Sequence, residues 1–259
     1  MNITDWNGYK QINFEVSGRD SFIVCPKDPL PGNPWVWRTE FFSAFNYADL
    51  ALLNKGWHLA YHCVSNIYGC PESIDMMKEF YDVATGEYNM HKKPALFGFS
   101  RGGLYAVNFA LKYKECCGLL YLDAPVLDIR SWPGGLGTGI GTPHCWEECK
   151  KIYGLTDFNA FRFSDNPLDH VKELADTHIP IFMVCGDSDT VVPYQENGEP
   201  FYKEMISYNA VIEQIVKPDC DHHPHSLEDP TPIVSFIEMI LLENNATEPL
   251  LRVNNARAW

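Results

Sequence analysis

Phe97-Gly98-Phe99-Ser100-Arg101-Gly102-Gly103 is the stretch from which the rest of the chain is read. Pro94–Phe99, leading into it, is a compact apolar run of strand length. Leu104–Tyr113, leading out, has apolar residues at helical spacing. The stretch is therefore a G-x-S-x-G turn between a strand and a helix. Such a turn is strained, and a side chain at Gly98 or Gly102 would clash with neighbouring backbone. Ser100 is then lifted above the strand end, where a substrate carbonyl can reach it. The helix that follows points its first amides and its dipole at the same place. The Arg101 amide is the expected first donor to an oxyanion. The plainer reading is a glycine-rich turn with an ordinary N-cap serine.

A serine hydroxyl is too weakly acidic to attack unaided, so a base and an acid are sought downstream. The apolar run Ile179–Cys185 ends in Gly186-Asp187-Ser188-Asp189-Thr190-Val191-Val192-Pro193. Carboxylates at the end of a buried strand sit on the functional edge of a parallel sheet. Asp187 and Asp189 are both available; G-x-x-D-x-x-V-P resembles the acid loop of the α/β-hydrolase family, which implies Asp189 as the acid and leaves Asp187 to tether the turn. The next strand, Ala210–Val216, leads into Asp219-Cys220-Asp221-His222-His223-Pro224-His225-Ser226. Three histidines compete as base: His222 matches the place usual in that family and is preferred, His223 is the runner-up, and His225 orders the loop or lines the pocket. The same cluster could ligate zinc, but it has no H-E-x-x-H or paired C-x-x-C spacing, and no metal or other cofactor is expected.

Outward from these motifs, short β-rich runs alternate with helical ones. Gln11–Val16 and Ser21–Cys25 read as a hairpin around Gly18, followed by a proline-dense loop, Asp28–Trp37. Thr39–Asn54 reads as a helix through Phe41, Phe42, Phe45, Ala48 and Leu52, with Gly56 past its end. Trp57–Val64 and Gly118–Leu122 read as strands. Ser73–Tyr81, Pro167–Ala175, Glu196–Ile206 and Pro232–Leu242 read as helices. From Val126 to about Phe163 the pattern breaks into a glycine cluster, Gly134–Gly141, flanked by Trp132 and Trp146, with one helix around His144–Tyr153. Apolar strands alternating with helices imply a mostly parallel sheet covered on both faces. One domain over residues 1–259 is expected, with a lid or insertion at about 126–165 and a loose polar tail at 243–259.

Composition narrows the function. With 46% hydrophobic and 21% charged residues, the chain has globular proportions. A net charge of -14 makes nucleic acid and anionic membrane surfaces poor partners. No apolar stretch is long enough to span a bilayer. The start lacks a basic-then-apolar leader, and Cys25, Cys63 and Cys185 fall in apolar runs as buried thiols. A cytoplasmic location is expected on those grounds.

The elbow, acid loop, histidine loop and strand–helix order together resemble the α/β-hydrolase superfamily from about Gln11 to Leu242. In that superfamily a glycine usually precedes the histidine, and here Asp221 replaces it. The resemblance implies a mostly parallel sheet with helices on both faces, and the break in this chain's own pattern adds a Gly/Trp-containing insertion after the sixth strand. Pro31–Arg38, Gly98–Gly103 and His222–Pro230 also resemble a bacterial carbohydrate-esterase-like group of serine hydrolases. That implies hydrolysis of a small carboxylic ester, an acetyl or methyl ester on a carbohydrate. The fold hosts many chemistries, so a serine peptidase or amide hydrolase on the same triad stays open, as does a non-catalytic binding protein.

The pocket is less legible. The second oxyanion donor is expected from the loop after Ser21–Cys25, where prolines 26, 29, 31 and 34 have no amide hydrogen. Trp35 is the candidate, with Leu30 and Asn33 as alternatives. Trp37 and Trp132 are candidate stacking surfaces for a sugar ring, against the commoner fate of tryptophan in a core. Arg38, Arg101 and Arg130 could bind a carboxylate or sugar hydroxyls, or make structural ion pairs.

Overall fold

The computed structural model describes residues 2–243; the expected tail lies outside the described residues beyond Glu243. Nine strands form one sheet in the order β1-β2-β3-β5-β4-β6-β7-β8-β9. β1 (Asn2–Trp6), β2 (Tyr9–Val16) and β3 (Arg19–Cys25) run antiparallel as two successive hairpins. β3 also pairs antiparallel with β5 (His58–His62). From there β4 (Trp35–Arg38), β6 (Ala95–Phe99), β7 (Leu119–Asp123), β8 (Ile181–Gly186) and β9 (Ile212–Lys217) continue in parallel.

Both faces are covered. One core takes in Phe80 of α2 (Pro71–Gly86), Leu104 of α3 (Gly102–Lys112), Val171 of α5 (Val171–Ala175) and Phe201 of α6 (Gly198–Ser207). The opposite core takes in Leu52 of α1 (Tyr47–Asn54) and Ile237 of α7 (Thr231–Glu238). β6 shows how sequence selects this layering. Ala95, Phe97 and Phe99 face the second core, Leu96 faces the first, and all are buried. This is the two-residue side-chain period of a strand buried on both sides. Among the described residues no helix is long and apolar enough to cross a membrane. All nine cysteines are free.

Several sequence expectations need correction. β1 was not anticipated, and Trp35–Arg38 is a strand rather than the end of a loop. Pro34 cannot donate to a ladder, but it precedes the strand and breaks nothing in it. The expected helix over 39–54 begins only at Tyr47. Phe41, Ser43 and Phe45 have φ of 52°, 73° and 47°, a left-handed backbone that no right-handed helix can contain. The helix expected over Ser73–Tyr81 is longer, Pro71–Gly86, with Cys70 as its N-cap. Residues 126–165 follow the seventh strand rather than the sixth and hold α4 (Pro143–Ile152).

Candidate active site

The carboxyl ends of β6, β8 and β9 bring together three side chains far apart in sequence. Ser100 leaves β6 with φ of 49°. A serine in that region costs on the order of 1 kcal/mol. Backbone bonds hold it there: its amide donates to Asp123 O (2.9 Å), and its carbonyl accepts Gly103 N (2.9 Å) and Val126 N (2.8 Å). The glycines of the motif meet their neighbours closely. A Cβ on Gly98 would lie 3.0 Å from Ala106 Cβ, and one on Gly103 would lie 2.6 Å from Pro125 Cβ. Strand and helix can therefore approach closely only without those side chains.

Ser100 Oγ lies 3.0 Å from His222 Nε2, and His222 Nδ1 lies 2.7 Å from Asp189 Oδ2. All three residues are less than a tenth exposed. The other carboxylate oxygen of Asp189 accepts the amides of Val191 (2.9 Å) and Val192 (2.8 Å). With Asp189 ionised, the proton between the two rests on Nδ1, and Nε2 is left to accept from the serine. Asp187 does not face the histidine. Its carboxylate accepts the Asp219 amide (2.8 Å) and ties the acid loop to the histidine loop.

Asp221, where the superfamily usually has glycine, makes a second such tie. It accepts the amide of Thr190 (2.7 Å) and the amide of His222 (2.8 Å). Those two amides, with the Thr190 hydroxyl, hold its carboxyl below the usual range. His223 lies outside the relay on the rim, its ring stacked 5.5 Å from that of Phe45. Partial burial lowers its pKa first, then the neighbouring His225 and His222. No group of three or more His, Cys, Asp or Glu among the described residues could hold a metal ion.

No protein-family model matches the sequence, and no curated protein matches it. Solved structures do match in shape. The acylaminoacyl peptidase of Pyrococcus horikoshii superposes with a TM-score of 0.70 over 97% of this chain and 46% of its own, at 14% identity. Dipeptidyl peptidase 4 of Porphyromonas gingivalis gives 0.66 over 93% and 36%, at 15% identity. A protein of Acinetobacter baumannii assigned as a lipase gives 0.62 over 91% and 92%, at 13% identity. The chain spans less than half the length of the two peptidases. It has the α/β-hydrolase fold.

The strand between β5 and β6 is β4, not β3. The Pro26–Trp37 stretch in which a donor was expected therefore does not reach the Ser100 end of the sheet, whereas the loop after Arg38 does. Trp35 starts β4 at the opposite end from Ser100, and its ring is fully buried with Nε1 donating to His91 O (2.7 Å). The Leu30 and Asn33 amides are bonded to Gly56 O and Leu30 O. At the Ser100 end, Thr39 Oγ1 donates to Gly102 O (2.9 Å) and fastens the next loop to the first turn of α3. The amides of Glu40, Phe41 and Arg101 have no hydrogen-bond partner among the described residues.

Trp37 is likewise corrected: it is buried inside the first core against Phe80 and Phe109 and offers no face to a substrate. Trp132 is 9% exposed, bonded through Nε1 to Thr142 Oγ1 and tilted onto Tyr68, so it does not form an open platform. Arg38 is fully buried, with Nε and Nη2 each 2.8 Å from the Asp49 carboxylate. Arg130 is gripped by Asp128 through Nε and Nη2. Both are structural ion pairs. Arg101 differs from these two. Its Nε lies 3.4 Å from Glu40 Oε1, its guanidinium rests between the Phe41 and Tyr68 rings, and its Nη atoms have no acceptor among the described residues. Glu40, Phe41 and Tyr68 were missed in the sequence; the available signal was the β-rich Trp-Val-Trp-Arg run directly before Thr39-Glu40-Phe41.

Glu196 fixes the glycine cluster beside the site. It accepts the hydroxyls of Ser131 and Thr138 (both 2.6 Å) and the amide of Thr138. Burial pushes its carboxyl up, but these hydrogen bonds outweigh burial and hold it below the ordinary 4.5. A depressed carboxylate contributes stability that is present above its unfolded pKa and lost as pH falls through the lower folded one. Hydrogen-exchange protection of the Thr138 amide is therefore expected to hold above about pH 4.5 and to fall below it. Glu196→Gln should flatten that dependence. Protection that does not change with pH in the unsubstituted protein would contradict the account.

Proposed function

We propose that this chain is a serine hydrolase that cleaves a small carboxylic ester through an acyl-enzyme. The observation that carries the reading is the continuous relay Ser100 Oγ–His222 Nε2–Asp189, with its 3.0 and 2.7 Å links. In the proposed mechanism Ser100 Oγ bonds to the ester carbonyl carbon as its proton passes to His222 Nε2. Asp189 stabilises the imidazolium, and amides at Arg101 and in the Glu40–Phe41 stretch receive the oxyanion. The C–O bond then breaks, and the leaving alkoxide takes the proton from His222. Water deprotonated by His222 attacks the acyl carbon and releases the acid, returning the proton to Ser100.

An acetyl or methyl ester on a carbohydrate is the proposed substrate class. Its support is the three sequence stretches named above, together with a polar rim on which Arg101 keeps unengaged Nη groups able to bind sugar hydroxyls. The peptidase names among the structural neighbours favour amide hydrolysis as a second reading. Matched ester and anilide substrates of one acyl group separate the two.

The direct test is a fluorophosphonate with mass mapping of the adduct. Label on Ser100, lost in His222→Ala, is expected. A folded protein left unlabelled would count against an activated serine.

A further inference from the structure

A second acid–histidine pair lies against the first. Asp123 ends β7, next to β8 in the sheet, and is 1% exposed. One of its oxygens lies 2.7 Å from His225 Nδ1; the other accepts the Tyr121 hydroxyl (2.7 Å) and the Ser226 amide (2.8 Å). The carboxylate is thus fully engaged, as burial demands. His225 is 5% exposed, and its ring packs edge-on to that of His222, centroids 4.7 Å apart at 77°. Phe99 and Phe45 hold the other sides of the His225 ring at 5.6 and 5.3 Å. Lys217 Nζ donates to the carbonyls of Pro224 and Ser226, closing the loop beneath.

We propose that His225, clamped by Asp123, is a positioning residue for His222. This rests on the proposed serine hydrolase reading. Asp189 fixes one nitrogen of the His222 ring, which leaves the ring free to swing about that hydrogen bond. A rigid ring at right angles removes this freedom, and the link to Ser100 Oγ stays at 3.0 Å. A base held in reactive geometry does not lose rate to misaligned conformers, and a small displacement of such a group is costly. A loop anchor alone would not need an imidazole against the His222 ring. Without the imidazole, three bonds still anchor the loop: the Ser226 amide to Asp123, and Lys217 Nζ to the carbonyls of Pro224 and Ser226.

The experiment is inactivation by a fluorophosphonate, resolved into its saturating rate and its half-saturating concentration. It is run on the unsubstituted protein, His225→Asn and Asp123→Asn, well below each melting temperature. Asparagine at 225 retains a donor for Asp123 and removes the ring. The saturating rate is expected to fall at least fivefold in His225→Asn, with the half-saturating concentration within threefold. A smaller fall, or one confined to the half-saturating concentration, overturns the proposal. Where His225→Asn fails to fold, Asp123→Asn, which keeps the volume, is read by the same criteria. No labelling of the unsubstituted protein would defeat the serine hydrolase reading itself. Brisk labelling of the unsubstituted protein and both variants alike would defeat only the role of His225.

Discussion

Ser100→Ala is expected to remove ester turnover while leaving the fold in place. Loss of a serine nucleophile costs about a millionfold in kcat where serine and histidine act as one unit. What remains is the binding and oxyanion contribution, worth about a thousandfold over water. The fold should survive because the hydroxyl has one partner, His222 Nε2. Its loss costs about 1 kcal/mol, or roughly 2–4 °C in a chain of this size. The strained backbone at residue 100 is borne by bonds to Asp123, Gly103 and Val126, and none of them involves the side chain. The measurement pairs hydrolysis of p-nitrophenyl acetate with a thermal melt. Turnover near the unsubstituted level in a folded Ser100→Ala protein would end the proposal for this serine.

The elbow was legible because its determinants are local: an apolar strand, two glycines, a serine and a helix within a few residues. The acid and histidine loops were legible for the same reason, since each follows a short run rich in strand-forming residues. Their ranking among neighbours was less secure. Only the resemblance of G-x-x-D-x-x-V-P to a known acid loop separated Asp189 from Asp187; in the structure one carboxylate faces the Asp219 amide and the other the His222 ring.

The oxyanion loop was misread because it depends on strand order. β3 precedes β4 in sequence, but β5 separates them in the sheet, and of the two only β4 pairs with β6. No hydrophobic pattern records that crossover. The helix expected from residue 39 failed in a related way. Phe41, Phe42 and Phe45 do have helical spacing, but Phe42 packs on Trp6 and Phe22 while Phe41 turns to Arg101. Tertiary contacts there override a local period.

Arg38 is the sharpest case, because the sequence left two fates open and they predict opposite experiments. The guanidinium is fully buried, lies 3.8 Å over the Phe99 ring and grips Asp49, itself 2% exposed. Arg38→Ala strands that carboxylate without a partner. Breaking a buried pair in this way costs about 3–5 kcal/mol, so a fall in melting temperature of roughly 10 °C is expected. The same principle makes the double exchange Arg38→Met with Asp49→Leu far milder than either charge deletion alone, because no uncompensated charge is left behind. A substrate-binding arginine behaves otherwise: its loss raises KM and spares stability. Thermal melts of the two variants, read beside KM for an acetylated sugar, decide between the fates. A stable Arg38→Ala protein with weakened substrate binding would return Arg38 to the pocket. An unstable one rescued by the double exchange would leave Arg101 as the arginine with Nη groups free beside Ser100.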